Sequence, residues 1–376
     1  MGLDWEPHEV KTEDGWYLTV FRVISDKGDY KSQSKSDEPE KLPILMVPGS
    51  VDSAFGFMSR APFGRAWTLQ MVDLGYEVWF NNSRGIEYSD KRDGGDKMSR
   101  KEYWDYDWAD MGLYDLPASI EGVLAVSGAP KLTIVAHSMG TSATWYGMAH
   151  KQDFFAERVH RFVALSSCVY PALYDNLNEY DEITSLFLRI EELGYTSMFG
   201  PEEDETSPFF TKVMCDADPT SANCNWPEWF PDFLLSIDQD SFRFYPISIK
   251  QLLYFAQLYL EQRFQEPQTL AKYAMGERIT PLVPVWNIDR VPVTLVHGLA
   301  DERCPIHQAE FMLDQIKSPE RYFVVQNASH YTYLTSTDPN LVRDIDQIIK
   351  TGHTMGSGSL AITVSGLAIA IAISVF

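Results

Sequence analysis

The chain has 376 residues, of which 45% are apolar and 13% aromatic, so it can form a packed core and is not globally disordered. Its 53 acidic and 31 basic side chains give a formal charge of −22, which argues against nucleic acid as a partner because phosphate binding requires clustered lysine and arginine. The same balance disfavours docking on an anionic membrane through charge, and four cysteines are too few for a disulfide scaffold.

The first predicted element is a β-hairpin over residues 8–24, where apolar and polar residues alternate around the turn Glu13-Asp14-Gly15. Residues 25–41 are rich in Asp, Lys, Ser and Glu, and we expect them to form an exposed, mobile loop.

Short apolar runs and stretches with helical spacing then alternate along the chain. Strands are predicted at 43–47, 76–80, 131–136, 161–165, 292–297 and 321–325, and helices at 64–74, 112–127, 139–150, 306–316 and 339–350. Asp110 is the expected N-cap of the second of these helices. This alternation predicts an α/β fold with a mostly parallel sheet covered by helices on both faces.

Residues 170–285 interrupt the alternation with an aromatic, helical pattern. They hold 19 acidic and 7 basic side chains, so more than half of the net charge lies in less than a third of the chain. We interpret the segment as a helical cap inserted between two strands. The predicted organisation is a core of residues 1–169 and 286–350, a cap of 170–285 and a hydrophobic tail of 351–376.

Ser138 is the predicted nucleophile. It lies in Ala136-His137-Ser138-Met139-Gly140, between a predicted strand and a helix of small residues. In a nucleophile elbow a sharp turn at this position projects the serine oxygen above the sheet, and small flanking residues let strand and helix pack closely. Ala136 stands where glycine is usual. The pentapeptide alone would be a weak signal, but its strand and helix flanks favour this interpretation.

A serine nucleophile needs a base, and the base needs an orienting carboxylate. Asp301 follows the predicted strand 292–297, and His330 follows the next strand. Both should therefore project from the same sheet edge as Ser138. Asp289 is a rival acid, but it precedes its strand and should lie at the opposite end. Three other histidines have structural interpretations: His137, His297 and His307.

Two backbone N–H groups are expected to bind the oxyanion. Met139 directly follows the nucleophile, and Ser50 lies in the turn after strand 43–47, although Pro48-Gly49 could also be an ordinary turn. Side chains of residues 251–264 could line an acyl chain or simply pack in the core: Leu252, Leu253, Phe255, Tyr259 and Leu260. The eight histidines lack ligand spacing and no Gly-rich phosphate loop is present, so no metal and no cofactor is predicted.

Two sequence features bear on modification. Cys215 and Cys224, nine residues apart in the cap, could close a small disulfide loop or remain two thiols. Asn81 and Asn327 begin glycosylation sequons, although both adjoin the expected site and could be unused.

The C-terminal stretch indicates the cellular location of the protein. Residues 356–376 carry no charge, and small residues at 356–359 precede a terminal apolar run. This pattern favours a GPI-attachment signal, with a tail-anchored membrane span second and a buried terminal helix third. GPI attachment requires secretion, so we expect a signal peptide upstream of Met1. The predicted location is extracytoplasmic: secreted, lysosomal or vacuolar, or at the cell surface.

Four segments resemble the acid lipases of the α/β-hydrolase superfamily, the family of gastric lipase and lysosomal acid lipase. They are residues 9–15 (EVKTEDG), 82–85 (NSRG), 114–119 (YDLPAS) and the pentapeptide around Ser138. The resemblance covers about residues 4–350, and the segment at 114–119 is the most specific. Pro48 replaces a usual histidine and Met139 a usual glutamine, which puts in doubt the contacts that tune the site but not the backbone donors.

The resemblance implies an α/β-hydrolase fold with a cap and lid. It implies a triad of Ser138, Asp301 and His330, oxyanion donors at Ser50 and Met139, and a cap disulfide between Cys215 and Cys224. The implied activity is hydrolysis of triacylglycerols or steryl esters at a lipid–water interface, through an acyl-enzyme. Two alternatives remain open: an esterase for small soluble esters, and a non-enzymatic binding protein on the same scaffold.

Overall fold

The computed structural model describes residues 3–24, 41–59, 65–170, 180–198, 245–337, 339–354 and 360–363. Most of these residues are arranged around one sheet. The strands of the described residues are β1 (Asp4–Lys11), β2 (Trp16–Ile24), β3 (Ile44–Val47), β4 (Val78–Phe80), β5 (Lys91–Arg92), β6 (Leu132–His137), β7 (Val159–Leu165), β8 (Ser197–Met198), β9 (Ile247–Ser248), β10 (Val293–Ala300), β11 (Arg321–Ser329) and β12 (Leu360–Thr363).

The helices of the same residues are α1 (Ala54–Ser59), α2 (Trp67–Asp73), α3 (Arg100–Tyr103), α4 (Trp108–Asp110), α5 (Leu116–Ser127), α6 (Met139–His150), α7 (Gln152–Arg158), α8 (Tyr180–Glu192), α9 (Ile249–Glu261), α10 (Leu270–Ala274), α11 (Ile306–Gln315), α12 (Thr332–Thr335) and α13 (Pro339–Thr351). A π-helical turn, Met111–Asp115, joins α4 to α5, and short 3-10 turns occupy Gly95–Lys97 and Val285–Asn287.

The main sheet has the strand order β1-β2-β4-β3-β6-β7-β10-β11-β12, and β5 pairs with β2. The six strands from β4 to β11 in this order are mutually parallel, whereas the β1–β2 hairpin and β12 are antiparallel additions at the two sides. The carboxyl ends of the parallel strands therefore meet at one edge. The predicted α/β class and the predicted hairpin are confirmed.

Helices cover both faces of the sheet, as the alternating pattern predicts. One buried cluster joins the sheet to α5, α6 and α11 and includes Ile120, Trp145 and Met312. The other joins the opposite face to α2 and α13 and includes Trp67 and Ile345. The strands between them are buried on both sides, which is why they read as short, continuous apolar runs.

The predicted N-cap of the helix near residue 112 is wrong. The helical stretch begins earlier, at Trp108, where the Asp107 carboxylate accepts the N–H of Ala109 at 2.7 Å. Asp110 lies three residues inside the helix, and its carboxylate accepts the N–H of Asp107 at 2.9 Å. The two aspartates form a capping box, so the helix gains about one turn that the apolar spacing does not indicate.

The described part of the predicted cap contains α8, α9, α10 and the two-stranded sheet β8–β9. Trp108 of the core stacks on Tyr254 of α9, with ring centroids 4.3 Å apart and an interplanar angle of 6°. Phe255 and Phe264 also stack on the Trp108 ring. This aromatic group fixes α9 against the core, while the extent of the cap over 170–285 stays a prediction.

Several predictions fall outside the described residues. They are the loop at 25–40, the cysteine pair Cys215 and Cys224, and residues 355–359 and 364–376 of the tail. Of the predicted tail, residues 360–363 form β12, which pairs antiparallel with β11. Among the described helices none is both long and apolar enough to cross a bilayer. The roles of the tail as GPI signal or anchor stay predictions.

Candidate active site

Ser138 lies at the sharp turn between β6 and α6. Its backbone has φ 54° and ψ −124°, an unfavourable conformation for a residue with a side chain. Hydrogen bonds hold it there, because the Ser138 N–H donates to the Leu165 carbonyl at 3.2 Å and Thr141 donates its N–H and hydroxyl to the Ser138 carbonyl. The turn projects the Ser138 side chain at the carboxyl edge of the sheet.

Gly140 lets this turn sit close to the neighbouring strand. A Cβ atom at Gly140 would lie 2.6 Å from the Pro48 carbonyl oxygen, closer than real contacts allow. Gly49 makes a similar approach from the other side, since a Cβ there would lie 2.9 Å from the Ser138 Cβ. The small residues around Ser138 are therefore required by backbone packing, as the elbow interpretation expects.

Asp301 follows β10 at the same edge and is 5% exposed. Its carboxylate accepts N–H groups from Arg303 at 3.1 Å and Cys304 at 2.9 Å, and lies 3.0 Å from the Nδ1 atom of His330. Burial alone would raise the pKa of Asp301, but the hydrogen bond and charge of His330, together with the Cys304 N–H, lower it to about 2. The carboxyl is therefore ionised across the physiological range.

His330 follows β11 and connects the other two side chains. Its Nε2 atom lies 2.9 Å from the Ser138 Oγ, and its Nδ1 atom lies 3.0 Å from both carboxylate oxygens of Asp301. The structure thus brings together the three residues that the sequence predicts as nucleophile, base and acid. In this arrangement the imidazole can take the hydroxyl proton while the carboxylate stabilises the resulting positive charge.

Two further histidines position these loops. The Nε2 of His137 donates to the backbone carbonyl of His330 at 2.8 Å, and His137 is 2% exposed. The Nε2 of His297 donates to the Cys304 carbonyl at 2.6 Å, and burial lowers the pKa of His297, which keeps the ring neutral. Both histidines have predicted structural roles, but the sequence pattern indicates neither partner. The first bond joins two separate loops, and the second closes the loop that carries Asp301.

A disulfide joins Cys168, just after β7, to Cys304 in the loop that carries Asp301. The two cysteines are 136 residues apart, and the Cys168 Sγ lies 3.7 Å from the Ser138 Oγ. Spacing along the chain indicates only the pair Cys215 and Cys224, which are nine residues apart. The strand order was the signal that could have found this bond, since β7 and β10 are neighbours.

The predicted oxyanion donors both lie beside the elbow. Met139 is the first residue of α6, directly after Ser138, and is 5% exposed. Ser50 follows Gly49 in the turn after β3, next to Val51, whose φ is 52°. Since Gly49 packs against Ser138, the turn carries the Ser50 backbone to the same edge.

The other candidates lie elsewhere. Asp289 precedes β10 at the opposite end of the sheet, where it contacts the side chain of Gln152. His307 is the second residue of α11, with its ring 6.2 Å from that of Tyr170. Of the sequon residues, Asn81 is fully buried and accepts the Ser119 hydroxyl at 2.7 Å, whereas Asn327 is exposed. Attachment of a glycan to Asn81 is incompatible with the folded chain.

The predicted acyl-lining residues divide between two environments. Leu253 lines a cavity of about 740 Å³ formed by α3, α8, α9 and α10, whereas Phe255 belongs to the main core. Leu252 and Leu260 are half-buried and pack on the small cluster that includes Phe187. Tyr259 lies partly buried in the same helix. None of the Ser138, Asp301 and His330 side chains lines this cavity.

Three residues of the lipase-like motifs form a separate buried network. The Arg84 guanidinium, 1% exposed, donates to Asp115 at 2.7 and 2.8 Å and to Asp14 at 2.6 and 3.0 Å. The Arg84 backbone N–H donates to the other oxygen of Asp115 at 3.0 Å. The network joins the hairpin turn, the loop after β4 and the start of α5, so its role is structural.

Comparisons with known proteins show the fold family of the chain. A family model described as alpha/beta hydrolase fold matches residues 43–337. Lipase 1 of Drosophila melanogaster is 28% identical over 358 residues, which cover 90% of this chain and 74% of that protein. A solved structure of DcsB in complex with its substrate analogue covers 92% of this chain and 99% of its own, with a TM-score of 0.54 and 15% identity, which shows the fold alone.

Two further relatives match over shorter segments. Sterol esterase 2 of Saccharomyces cerevisiae is 32% identical over 179 residues, 45% of this chain and 31% of that protein. Gastric triacylglycerol lipase of Mus musculus is 31% identical over 166 residues, 44% of this chain and 40% of that protein. The matched segments thus span less than half of the yeast and mouse proteins.

Proposed function

The chain belongs to the alpha/beta hydrolase fold family, and from that membership we propose that it is a lipase-type carboxylic ester hydrolase with Ser138 as its nucleophile. The predicted resemblance to acid lipases is confirmed by relatives named as lipases and as a sterol esterase. The observation that carries the proposal is the hydrogen-bonded series from Ser138 Oγ through His330 to Asp301, at 2.9 and 3.0 Å.

The proposed reaction begins with attack of the Ser138 oxygen on the ester carbonyl. His330 Nε2 accepts the hydroxyl proton, and the ionised Asp301 holds the Nδ1–H and stabilises the imidazolium. The backbone N–H groups of Met139 and Ser50 bind the oxyanion of the tetrahedral intermediate. His330 then protonates the leaving alcohol, and the alcohol departs from the acyl-enzyme.

The second half of the reaction uses the same groups in reverse. Water takes the place of the alcohol, His330 accepts one of its protons, and the hydroxide adds to the acyl carbonyl. Collapse of the second tetrahedral intermediate releases the carboxylic acid and returns the proton to Ser138. We propose triacylglycerols and steryl esters as substrates, because two of the relatives carry these substrates in their names.

The test compares hydrolysis of triolein, cholesteryl oleate and a short p-nitrophenyl ester by the wild type and by Ser138→Ala. The variant should lose at least about 10⁴-fold in kcat, because a missing serine nucleophile leaves only binding and the oxyanion donors. Ser127→Ala, at the end of α5, is the control and should keep full activity. A fluorophosphonate should label the wild type at Ser138 and leave Ser138→Ala unlabelled.

Two results would contradict the proposal. Full hydrolysis by Ser138→Ala would exclude this nucleophile, and absence of hydrolysis and of labelling in the wild type would favour the binding-protein alternative. A wild type that hydrolyses only the short ester would instead assign the activity to small soluble esters.

We also propose that the protein works outside the cytosol. The disulfide between Cys168 and Cys304 supports this location, since such bonds persist in oxidising compartments. Alkylation of thiols in protein taken directly from its native source should leave both cysteines unmodified. Quantitative alkylation of both would contradict the location.

A further inference from the structure

Two sulfur atoms and one imidazole meet beside Ser138. The Sγ atoms of Cys168 and Cys304 and a ring nitrogen of His330 all lie within 4.8 Å of one another, and all three residues are buried. Within the part of the chain that the structure describes, this is the one group of three such side chains close enough to share a metal ion. Sulfur and imidazole together are the ligands that thiophilic cations prefer.

In the oxidised chain the two sulfurs are bonded to each other and bind no ion. A phosphine reductant breaks the S–S bond when its phosphorus attacks one sulfur. Water then supplies the oxygen of the phosphine oxide, and the two hydrogens of that water protonate the two sulfurs. Cys168 and Cys304 become thiols. A divalent cation then displaces the two thiol protons to solvent and binds two thiolates.

We propose that Cys168, Cys304 and His330 form a redox-gated site for a thiophilic divalent cation, Zn²⁺ or Cd²⁺, and that the bound ion stops the proposed ester hydrolysis. The inhibitory half of this inference rests on the proposed function, whereas the metal site itself does not. Zn–S bonds of about 2.3 Å and Zn–N bonds of about 2.0 Å place tetrahedral ligand atoms about 3.4–3.8 Å apart. The three atoms reach that spacing by small rotations of the freed cysteine side chains.

The surroundings of His330 fit a metal ligand. Its Nδ1 already faces the Asp301 carboxylate at 3.0 Å, and histidines that bind metals usually donate their second ring N–H to such a partner. Its Nε2 faces Ser138, whose oxygen lies 3.7 Å from the Cys168 sulfur. Since Nδ1 is engaged by Asp301, Nε2 is the nitrogen left to bind the ion.

The same geometry explains why the ion would inhibit. A cation on Nε2 occupies the lone pair that must accept the Ser138 proton, so Ser138 loses its general base. An added small-molecule disulfide accepts two electrons from the two thiolates and is itself split into two thiols. The Cys168–Cys304 bond forms again and the ion is released. The disulfide thereby protects the active site from thiophilic metals, in addition to tying the Asp301 loop to the end of β7.

The experiment uses the full chain, first oxidised and then reduced with a phosphine, and titrates each form with Cd²⁺. The reduced wild type should bind one Cd²⁺ per chain and show the ultraviolet absorption of cadmium thiolate, which the oxidised form should lack. Zn²⁺ should lower ester hydrolysis by the reduced form by about 100-fold or more, the contribution of a general base, and EDTA should restore it. Peptide mapping after alkylation establishes that Cys168 and Cys304 are reduced.

Matched cysteine variants separate this site from the other pair. Cys168→Ser should abolish both the cadmium absorption and the zinc inhibition, whereas Cys215→Ser should keep both. Ser138→Ala should keep the absorption although it is inactive, so the metal site can be judged even if the proposed function fails. Equal absorption in Cys168→Ser, equal zinc inhibition of the oxidised form, or a Cys168–Cys304 bond that resists reduction would overturn the inference.

Discussion

The Arg84 network offers a sharp test of how the fold is held together. Arg84 is 1% exposed and Asp115 is fully buried, so neither charge can be solvated by water if the other is removed. The proposed perturbation is Arg84→Met, which keeps an unbranched apolar stem and removes the guanidinium. It deletes two hydrogen bonds to Asp115 and two to Asp14.

The expected loss of stability in Arg84→Met follows from the contacts that Asp115 and Asp14 keep. Among the described residues, Asp115 would keep only the N–H of residue 84 as a hydrogen-bond donor, and its carboxylate would lie in the interior without a counter-charge. Breaking a buried ion pair in this way costs about 3–5 kcal/mol. Asp14, which is 25% exposed, can recover part of its hydration and adds less. Arg158→Met is the control, because Arg158 is 31% exposed and its ion pairs should contribute at most about 1 kcal/mol.

A second substitution, at Asp115, should change the free energy of unfolding in opposite directions in the wild type and in Arg84→Met. Asp115→Asn should destabilise the wild type, because it removes the charge that Arg84 requires. In the Arg84→Met background the same change should stabilise the chain, because it removes an unpaired buried charge while an amide oxygen still accepts the backbone N–H. The double variant should therefore be more stable than Arg84→Met alone.

Urea unfolding followed by tryptophan fluorescence measures these differences as shifts in midpoint at constant slope. The reasoning is refuted if Arg84→Met costs no more than Arg158→Met, or if Asp115→Asn destabilises both backgrounds equally.

Three further predictions concern the helix starts and the site. Burial and the neighbouring Asp110 raise the pKa of Asp107 from 3.8 to about 7. The folded chain should therefore lose stability as the pH rises from about 4 to about 7, by up to about 4 kcal/mol. Asp107→Asn should remove that loss, and equal differences in thermal midpoint between pH 5 and pH 8 for variant and wild type would contradict it. Gly140→Ala should cost about 1–3 kcal/mol in urea unfolding and lower kcat, because the added Cβ collides with backbone oxygen; unchanged stability and activity would exclude that contact. His137→Ala should lower kcat about tenfold or more with little change in KM, because the backbone of His330 loses its donor; a change in KM alone would argue against a positioning role.

The main sheet could be predicted because its parallel strands are buried on both faces. Such strands appear as short apolar runs, and the ends of the runs at 43–47, 131–136 and 161–165 lie within two residues of the ends of β3, β6 and β7. The short pieces could not be predicted. β5 has two residues and α3 has four, and their positions depend on contacts with β2 and on the Ser99 capping box rather than on any apolar periodicity.

The motif residues show a second limit of sequence reasoning. Residues 9–15, 82–85 and 114–119 carry the resemblance to the acid lipases, and the segment at 114–119 is its most specific part. In the fold, Asp14, Arg84 and Asp115 converge into a buried network that contains no residue of the Ser138 site. A specific motif can therefore identify a family through its structural ion pairs, and the chemistry must be assigned from the site.

The site itself was predictable to the extent that topology determined it. The carboxyl ends of parallel strands share one edge, so residues that follow β6, β10 and β11 must approach one another, whatever their separation in the chain. This shared edge predicts that Ser138, Asp301 and His330 lie together, without any knowledge of side-chain contacts. The same holds for residue 168 after β7, which lies between β6 and β10 in the sheet. Spacing along the chain does not indicate Cys168, because strand neighbours, not sequence distance, determine which cysteines can meet. The supporting bonds of His137 and His297 lie beyond this rule, because they depend on side-chain directions within loops that strand order does not specify.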